Sequence, residues 1–298
     1  RQRDLPQLIL EKNLFGLDID ERAAQLSGFA LMMKGREDDR RLFERGVKLN
    51  VMALVDSTGF DAEVLASGVT LADYGLQPGN LTELKRLLEH ATTLGSLIQV
   101  PEGLAKKLSG LKKLCEASSP DLFVADELKR LGPLVQQAEL LAAQYNAVVA
   151  NPPYMGGKFY CPALKSFVND VYKAGKADLY GAFTLRNIAL AKNNGFIGMI
   201  TIPNWMFLSS FEQMRGEIIS KSPIASLVHN GRGISGSDFG SCSYVLRRCS
   251  MSGFSGRFLR LFEKAGSVAS NEELQRRFHI NRRFTTSYND FKRIPGSP

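Results

Sequence analysis

Apolar and polar positions along this chain follow two periods, and the switches between them divide it. Residues 5 to 15 (LPQLILEKNLF) lead into Phe15-Gly16-Leu17-Asp18-Ile19-Asp20, a short apolar run that closes on acidic residues. Residues 21–34 then offer Ala23, Ala24, Leu26, Ala30 and Leu31 for one broad helical face, so the chain opens as strand, acidic tip, helix. From about residue 61 to 144 the spacing is mostly three and four, as in Leu81, Leu84, Leu87 and Leu88 or Leu104, Leu108 and Leu111. That stretch predicts a helical insertion.

Strand character returns at Ala147-Val148-Val149-Ala150 and stops in Asn151-Pro152-Pro153-Tyr154, because consecutive prolines cannot continue a central strand. The pattern then predicts a helix over 179–193, an apolar strand over 196–201 and a helix over 210–220. Two further strands, 225–229 and 243–247, flank a glycine-rich loop. Strands alternating with helices predict an α/β sheet covered on both faces. The polar, basic tail beyond Ser267 reads as partly disordered, and no internal repeat is visible.

Composition narrows the class. With 298 residues, 44% hydrophobic and 23% charged, the chain is globular, and disorder, collagen and small disulfide scaffolds are excluded. The net charge is +8, and the last 48 residues carry nine basic against four acidic side chains, a balance compatible with a polyanionic partner. Cys115, Cys161, Cys242 and Cys249 lie far apart, away from His90, His229 and His279, so zinc spacing is absent and no metal is expected. The longest apolar candidate, 196–208, is interrupted by Pro203 and Asn204. No membrane span or signal peptide is expected, and four reduced thiols fit the cytoplasm.

In open α/β sheets ligands sit beyond the carboxyl ends of the strands, which draws attention to Asn151-Pro152-Pro153-Tyr154. Asn-Pro and Pro-Pro also mark ordinary turns. From composition alone this tetrapeptide should appear in on the order of one chain per thousand of this size. Its parts suit methylation of an amino group conjugated to a heteroaromatic ring, a poor nucleophile because its lone pair is shared with the ring. Two acceptors aimed at its hydrogens localise that pair by positioning and electrostatics, without a metal. The Asn151 side-chain oxygen and the Pro152 carbonyl are the candidates, on a turn stiffened by prolines. Tyr154 offers a face for an extruded base, worth about 1–3 kcal/mol.

The order GLDID, VVANPPYMGGK and KADLYGAFTLRNIALAKNNGFIGMITIPNWMF resembles amino-group DNA methyltransferases whose cofactor motifs precede the target-recognition domain. With HNGRGISGSDFGSCSYVL and LFEKAGSVASNEELQRRF, the chain is closer still to the adenine-specific methyltransferases of the bacteriophage-exclusion (BREX) defence system, along nearly its whole length. The resemblance implies a Rossmann-like S-adenosylmethionine-dependent methyltransferase core with a helical insertion. It divides the chain into 1–58 (N-terminal part of the core), 59–145 (insertion), 146–265 (catalytic part) and 266–298 (basic linker). Asn151 and Pro152 would bind the target amine, Tyr154 would stack on the flipped adenine, and Pro153 and Phe239 would lie near base or DNA. Asp18 would hold the ribose hydroxyls of S-adenosylmethionine, and Asp178 would lie near the cofactor. Read alone, Asp18 or Asp20 is equally a helix N-cap, and so is Asp178.

Only 17 residues precede Asp18 and the first glycine is Gly16, whereas the cofactor's glycine loop belongs roughly 20 residues or more upstream. With Arg1 in place of Met, the chain reads as an internal fragment, expected to be inactive in isolation. Gly231-Arg232-Gly233-Ile234-Ser235-Gly236 fits G-x-G-x-x-G, but no helix reads immediately after it, so it is a loop. Lys106-Lys107, Lys112-Lys113, Arg276-Arg277 and Arg282-Arg283 are phosphate contacts or solvated faces. The expected partner is double-stranded DNA with a flipped adenine, with other defence-system proteins beside it. The rival readings are an amino-group methyltransferase of RNA or protein, and a non-catalytic DNA-binding scaffold of a defence complex.

Overall fold

A computed structural model describes residues 4–233, 240–249, 254–263 and 270–294. The chain divides into two compact units, the first ending at Ala143 and the second beginning at Gln144.

The first unit opens with α1 (Leu5–Lys12), β1 (Phe15–Asp18), α2 (Glu21–Asp38) and β2 (Asn50–Ala53). β1 and β2 pair in parallel, Leu17 opposite Met52, and α2 packs on both. Residues 5–12, which lead into the predicted strand, are themselves helical. The parallel partner β2 was not legible, because Asn50-Val51-Met52-Ala53 is too short to show a period. Helices α3 (Ala62–Gly68), α4 (Pro78–Leu87), α5 (Ala91–Leu94), α6 (Glu102–Ala105), α7 (Leu108–Cys115) and α8 (Leu122–Ala142) follow. Leu81, Leu84, Leu88, Leu104 and Leu111 are fully buried in one cluster with Leu131 and Leu134 of α8. Burying each such leucine contributes about 1.5–3 kcal/mol, which is what makes these short helices stable together. Gln137 of α8 is also fully buried. Its amide accepts from Val55 N at 2.9 Å and donates to Val55 O at 2.8 Å, so a buried polar group is satisfied while the segment after β2 is tied to α8.

The second unit is built on a six-stranded mixed sheet. It comprises β3 (Tyr145–Ala150), α9 (Pro162–Val171), α10 (Leu179–Leu190), β4 (Ala191–Thr201), α11 (Glu212–Lys221), β5 (Ile224–Gly231), β6 (Ser241–Arg247), β7 (Ser255–Arg260), α12 (Asn271–Ile280), β8 (Phe284–Ser287) and α13 (Tyr288–Lys292). The sheet order is β3-β4-β6-β5-β7-β8. β3 and β4 are parallel, β6 is antiparallel to both β4 and β5, and β5 and β7 are parallel. The carboxyl ends of β3, β4, β5 and β7 therefore lie along one edge of the sheet. β6 alternates strictly, burying Cys242, Tyr244 and Leu246. These pack with Ile197, Met199, Trp205, Phe211 and Met214 in the unit's core.

Three differences from the sequence reading have local causes. The helix expected to reach residue 193 ends at Leu190, and Asn194 takes a φ of +64° beside Gly195 within β4, where the pairing with β3 jumps from Ala191 to Phe196, a conformation Asn tolerates. Val148 and Ala150 pack towards the core, but Val149 is 81% exposed. At β3 the sheet is thus covered on one face, because α10 packs on the other. The segment 266–298, read as a basic linker, contains α12 and the edge strand β8. Ser270 caps α12 by accepting from Glu273 N, and Phe284-Thr285-Thr286 has strand-forming residues that pair with β7.

Candidate active site

The turn Asn151-Pro152-Pro153-Tyr154 leaves the carboxyl end of β3. Pro152 is buried, while Asn151 and Pro153 are exposed and Tyr154 is 44% exposed. The Tyr154 hydroxyl donates to Asn151 Oδ1 at 3.1 Å and lies 3.4 Å from the Ile200 carbonyl of β4. The two side chains expected to receive a target amine and a base are thus hydrogen-bonded to each other. Burial, with the neighbouring Cys242 thiol as a lesser cause, raises the Tyr154 phenol's pKa, so it stays a neutral donor. Behind it, Tyr180 of α10 meets the Tyr154 ring edge-on at 6.3 Å and stacks on Phe211 at 5.4 Å.

Asp178 holds the other end of the turn. Its Oδ1 accepts from Met155 N at 3.0 Å and Tyr180 N at 3.4 Å, while Leu179 N donates to Met155 O at 2.9 Å. It is the N-cap of α10, one of its two open readings. Burial raises its pKa, against the lowering effect of the backbone N–H groups. The approach of the preceding segment to α10 needs two glycines: a Cβ on Gly181 would lie 2.6 Å from the Gly175 carbonyl oxygen.

A second layer escaped the sequence reading. Thr184 Oγ1 and the Tyr244 hydroxyl are 3.0 Å apart, Trp205 Nε1 donates to Thr201 Oγ1 at 3.2 Å, and Cys242 Sγ lies 3.5 Å from the same oxygen. Burial pushes the Cys242 thiol up to about 11, so it is an inert packing group. The signal was a buried Thr, Trp and Tyr in otherwise apolar strands and helices, groups that need partners when buried.

In the first unit, Asp18 ends β1 and Asp20 caps α2, accepting from Arg22 N at 2.7 Å and Ala23 N at 3.3 Å. The capping question between the two is thereby answered. Asp18 Oδ1 accepts from Asp20 N at 2.9 Å, and Asp18 borders a surface cavity of about 480 Å³ with Gly16, Leu17, Ala24, Ser27 and Val51. Of the basic pairs in this unit, Lys106 pairs with Glu102 and Lys112 with Glu139, and Lys107 donates to Gly75 O. Arg277 pairs with Glu273. Gly231 and Gly233 take positive φ values of 88° and 80° where β5 ends. Phe239, expected near the base, lies outside the described residues. No helix among the described residues is long and apolar enough to cross a membrane.

Comparison with known families settles the kinship. Residues 12–234, well over half of the chain, match the model of the Eco57I restriction-modification methylase. The chain belongs to that family. Among curated relatives of this chain, the adenine-specific methyltransferase BrxX of Escherichia coli O9:H4 (strain HS) is 39% identical, over 100% of this chain and 27% of its own length. The adenine-specific methyltransferase PglX of Lacticaseibacillus casei (strain Zhang) is 33% identical, over 100% of this chain and 25% of its own. The BREX resemblance read from the motifs is borne out by both. The chain spans about a quarter of these relatives' length. A solved structure of the Type ISP restriction-modification enzyme LlaGI, with a DNA substrate mimic, aligns at 12% identity and a TM-score of 0.43, covering 96% of this chain and 25% of that one.

Proposed function

We propose that this chain is part of an enzyme that transfers a methyl group from S-adenosylmethionine to the exocyclic amine of an adenine flipped out of double-stranded DNA. It would act in the cytoplasm, in phage defence beside other proteins of the system. The observation that carries the reading is the Asn151–Tyr154 turn at a strand's carboxyl end, in a chain of the Eco57I methylase family. In this reading residues 1–58 and 146–265 form the methyltransferase core, 59–145 the helical insertion, and 266–298 lead towards a target-recognition domain.

Asn151 Oδ1 and the Pro152 carbonyl accept the two amine hydrogens and direct the nitrogen's lone pair out of conjugation with the ring. Pro153 prevents the turn from relaxing. Tyr154 covers one face of the base and helps offset the few kcal/mol needed to extrude it. The carboxylate of Asp18 fits a ribose diol: it stands at a strand tip beside a cavity, with its Oδ1 engaged only by Asp20 N among the described residues. S-adenosylmethionine, when bound there, supplies the electrophilic methyl group. Asp178 contributes by holding the turn to α10.

The test is the full-length parent enzyme with duplex DNA and labelled S-adenosylmethionine, read as N6-methyladenine by mass spectrometry. Asn151→Ala should abolish product formation while DNA affinity and melting temperature stay at wild-type values. Activity lost only in proportion to lost stability would make Asn151 structural, and methyl acceptance by RNA or protein instead of DNA would overturn the substrate.

A further inference from the structure

The carboxyl edge of the sheet carries a second aromatic and cationic cluster. Phe207, just beyond β4, is 60% exposed and its neighbour Leu208 is 49% exposed. This is not a loose loop: Arg215 of α11, 4% exposed, donates to the carbonyls of Trp205 at 2.8 Å and Leu208 at 2.7 Å. The apolar pair is therefore held out into water by a buried guanidinium, an arrangement that hydrophobic burial alone does not favour. The Phe207 ring lies 6.3 Å from His229 of β5, and His229 meets Phe262 edge-on at 4.6 Å. The Arg260 guanidinium sits 5.5 Å over the Phe262 ring. Arg260 is the register partner of His229 across β5 and β7. Arg232, at the end of β5, is exposed like Arg260, and neither has a carboxylate partner among the described residues.

The order β3-β4-β6-β5-β7 converts this into a distance. Strands lie about 4.8 Å apart, so β5 and β7 stand about 14 and about 19 Å from β3, which carries Asn151. At about 3.4 Å per base pair, that is roughly four to six base pairs along a duplex.

We propose that Phe207, His229, Phe262, Arg260 and Arg232 form a second DNA contact, gripping the duplex four to six base pairs from the methylated adenine. Arg260 and Arg232 take backbone phosphates, while Phe207 packs against the adjoining sugar and base edge. His229 and Phe262 form the platform that aligns Arg260. Exposed guanidiniums interleaved with aromatic faces complement a polyanion that also presents flat apolar surfaces. The inference rests on DNA being the substrate, and deepens that reading.

The experiment measures DNA affinity of the full-length parent against salt. Arg260→Ala should raise Kd about three- to tenfold and reduce the magnitude of the log–log salt slope by about one. Phe207→Ala should raise Kd with the slope unchanged. Lys221→Ala, which removes an exposed lysine of α11, should change neither. Neutral methylphosphonates placed four to six nucleotides from the target adenine should weaken the wild type more than Arg260→Ala, which retains only the Arg232 contact. Wild-type Kd and slope for Arg260→Ala and Phe207→Ala, at unchanged melting temperature, would overturn the contact. So would an Arg260 effect insensitive to the methylphosphonates, or no DNA binding by the parent. DNA held through Arg260 without adenine methylation would defeat the proposed activity and leave this surface standing.

Discussion

Tyr154 carries two separable jobs, and two substitutions divide them. On the proposed function its ring would be the stacking face, and its hydroxyl, 3.1 Å from Asn151 Oδ1, would orient the amine acceptor. Tyr154→Phe deletes one hydrogen bond at a partly exposed site, worth about 0.5–1.5 kcal/mol. If all of that appears as lost orientation of Asn151, kcat falls about two- to twelvefold, at 1.36 kcal/mol per decade. DNA affinity should not move. Tyr154→Ala also removes base stacking, about 1–3 kcal/mol, and the edge contact to Tyr180 at 6.3 Å, about 0.5–1.5 kcal/mol. Stacking alone accounts for a further five- to 150-fold loss. Single-turnover methylation by the parent enzyme, on a matched duplex and on one with a mismatched target adenine, separates the terms. The mismatched base is cheaper to extrude, so it should restore part of the Tyr154→Ala deficit and none of the Tyr154→Phe deficit. Equal losses for both variants would refute a stacking role. Equal losses on both substrates, with a melting temperature several degrees lower, would make Tyr154 a packing residue.

Three further outcomes follow from the geometry. Asp18→Asn exchanges a charged acceptor for a neutral one and should weaken S-adenosylmethionine binding by the parent about tenfold in calorimetry, whereas Asp20→Ala should cost about 1 kcal/mol of stability as a lost cap and leave cofactor affinity alone. Burial raises the Asp178 pKa above its ordinary value of 3.8, so its ionised form is disfavoured in the folded state. Asp178→Asn should therefore show its most favourable melting-temperature difference from wild type near neutrality, shrinking as pH falls through the raised value towards 3.8; a difference independent of pH would refute the burial argument. Gly181→Ala drives a Cβ into the Gly175 carbonyl and should cost about 1–3 kcal/mol in denaturant unfolding, while Gly216→Ala in α11, with no atom within 4 Å of the new Cβ, should gain about 0.5–1 kcal/mol.

Legibility in the sequence followed the range of the interactions. The leucines at spacings of three and four produced buried helices because helical periodicity is local and the burial of Leu81, Leu84 and Leu104 follows from it. Strand pairing is not local. Nothing in Asn50-Val51-Met52-Ala53 announces a parallel partner for β1, and the strand-forming residues of Phe284-Thr285-Thr286-Ser287 do not say which strand they join, since both pairings are with residues about 26 or more positions away. The one-sided cover of β3 was hidden for the same reason: a run of Val and Ala is compatible with one or two buried faces until the helices over it are placed.

The site divides along a similar line. Asn151, Pro152, Pro153 and Tyr154 are consecutive, so the chemistry they can perform is written in four letters and survives any tertiary arrangement that puts them after a strand. What holds them there is written across the second unit, in Asp178, Tyr180, Thr201, Trp205, Cys242 and Tyr244, joined only through the register of β4 with β6 and the docking of α10. A short motif therefore suggests a reaction earlier than it reveals the residues that hold the motif in place. Those residues reveal themselves as polar groups placed where burial would be costly without a partner. By that measure Arg215 is the informative residue of the carboxyl edge: a buried guanidinium spent on two loop carbonyls makes sense if the exposed Phe207 it supports has something to touch.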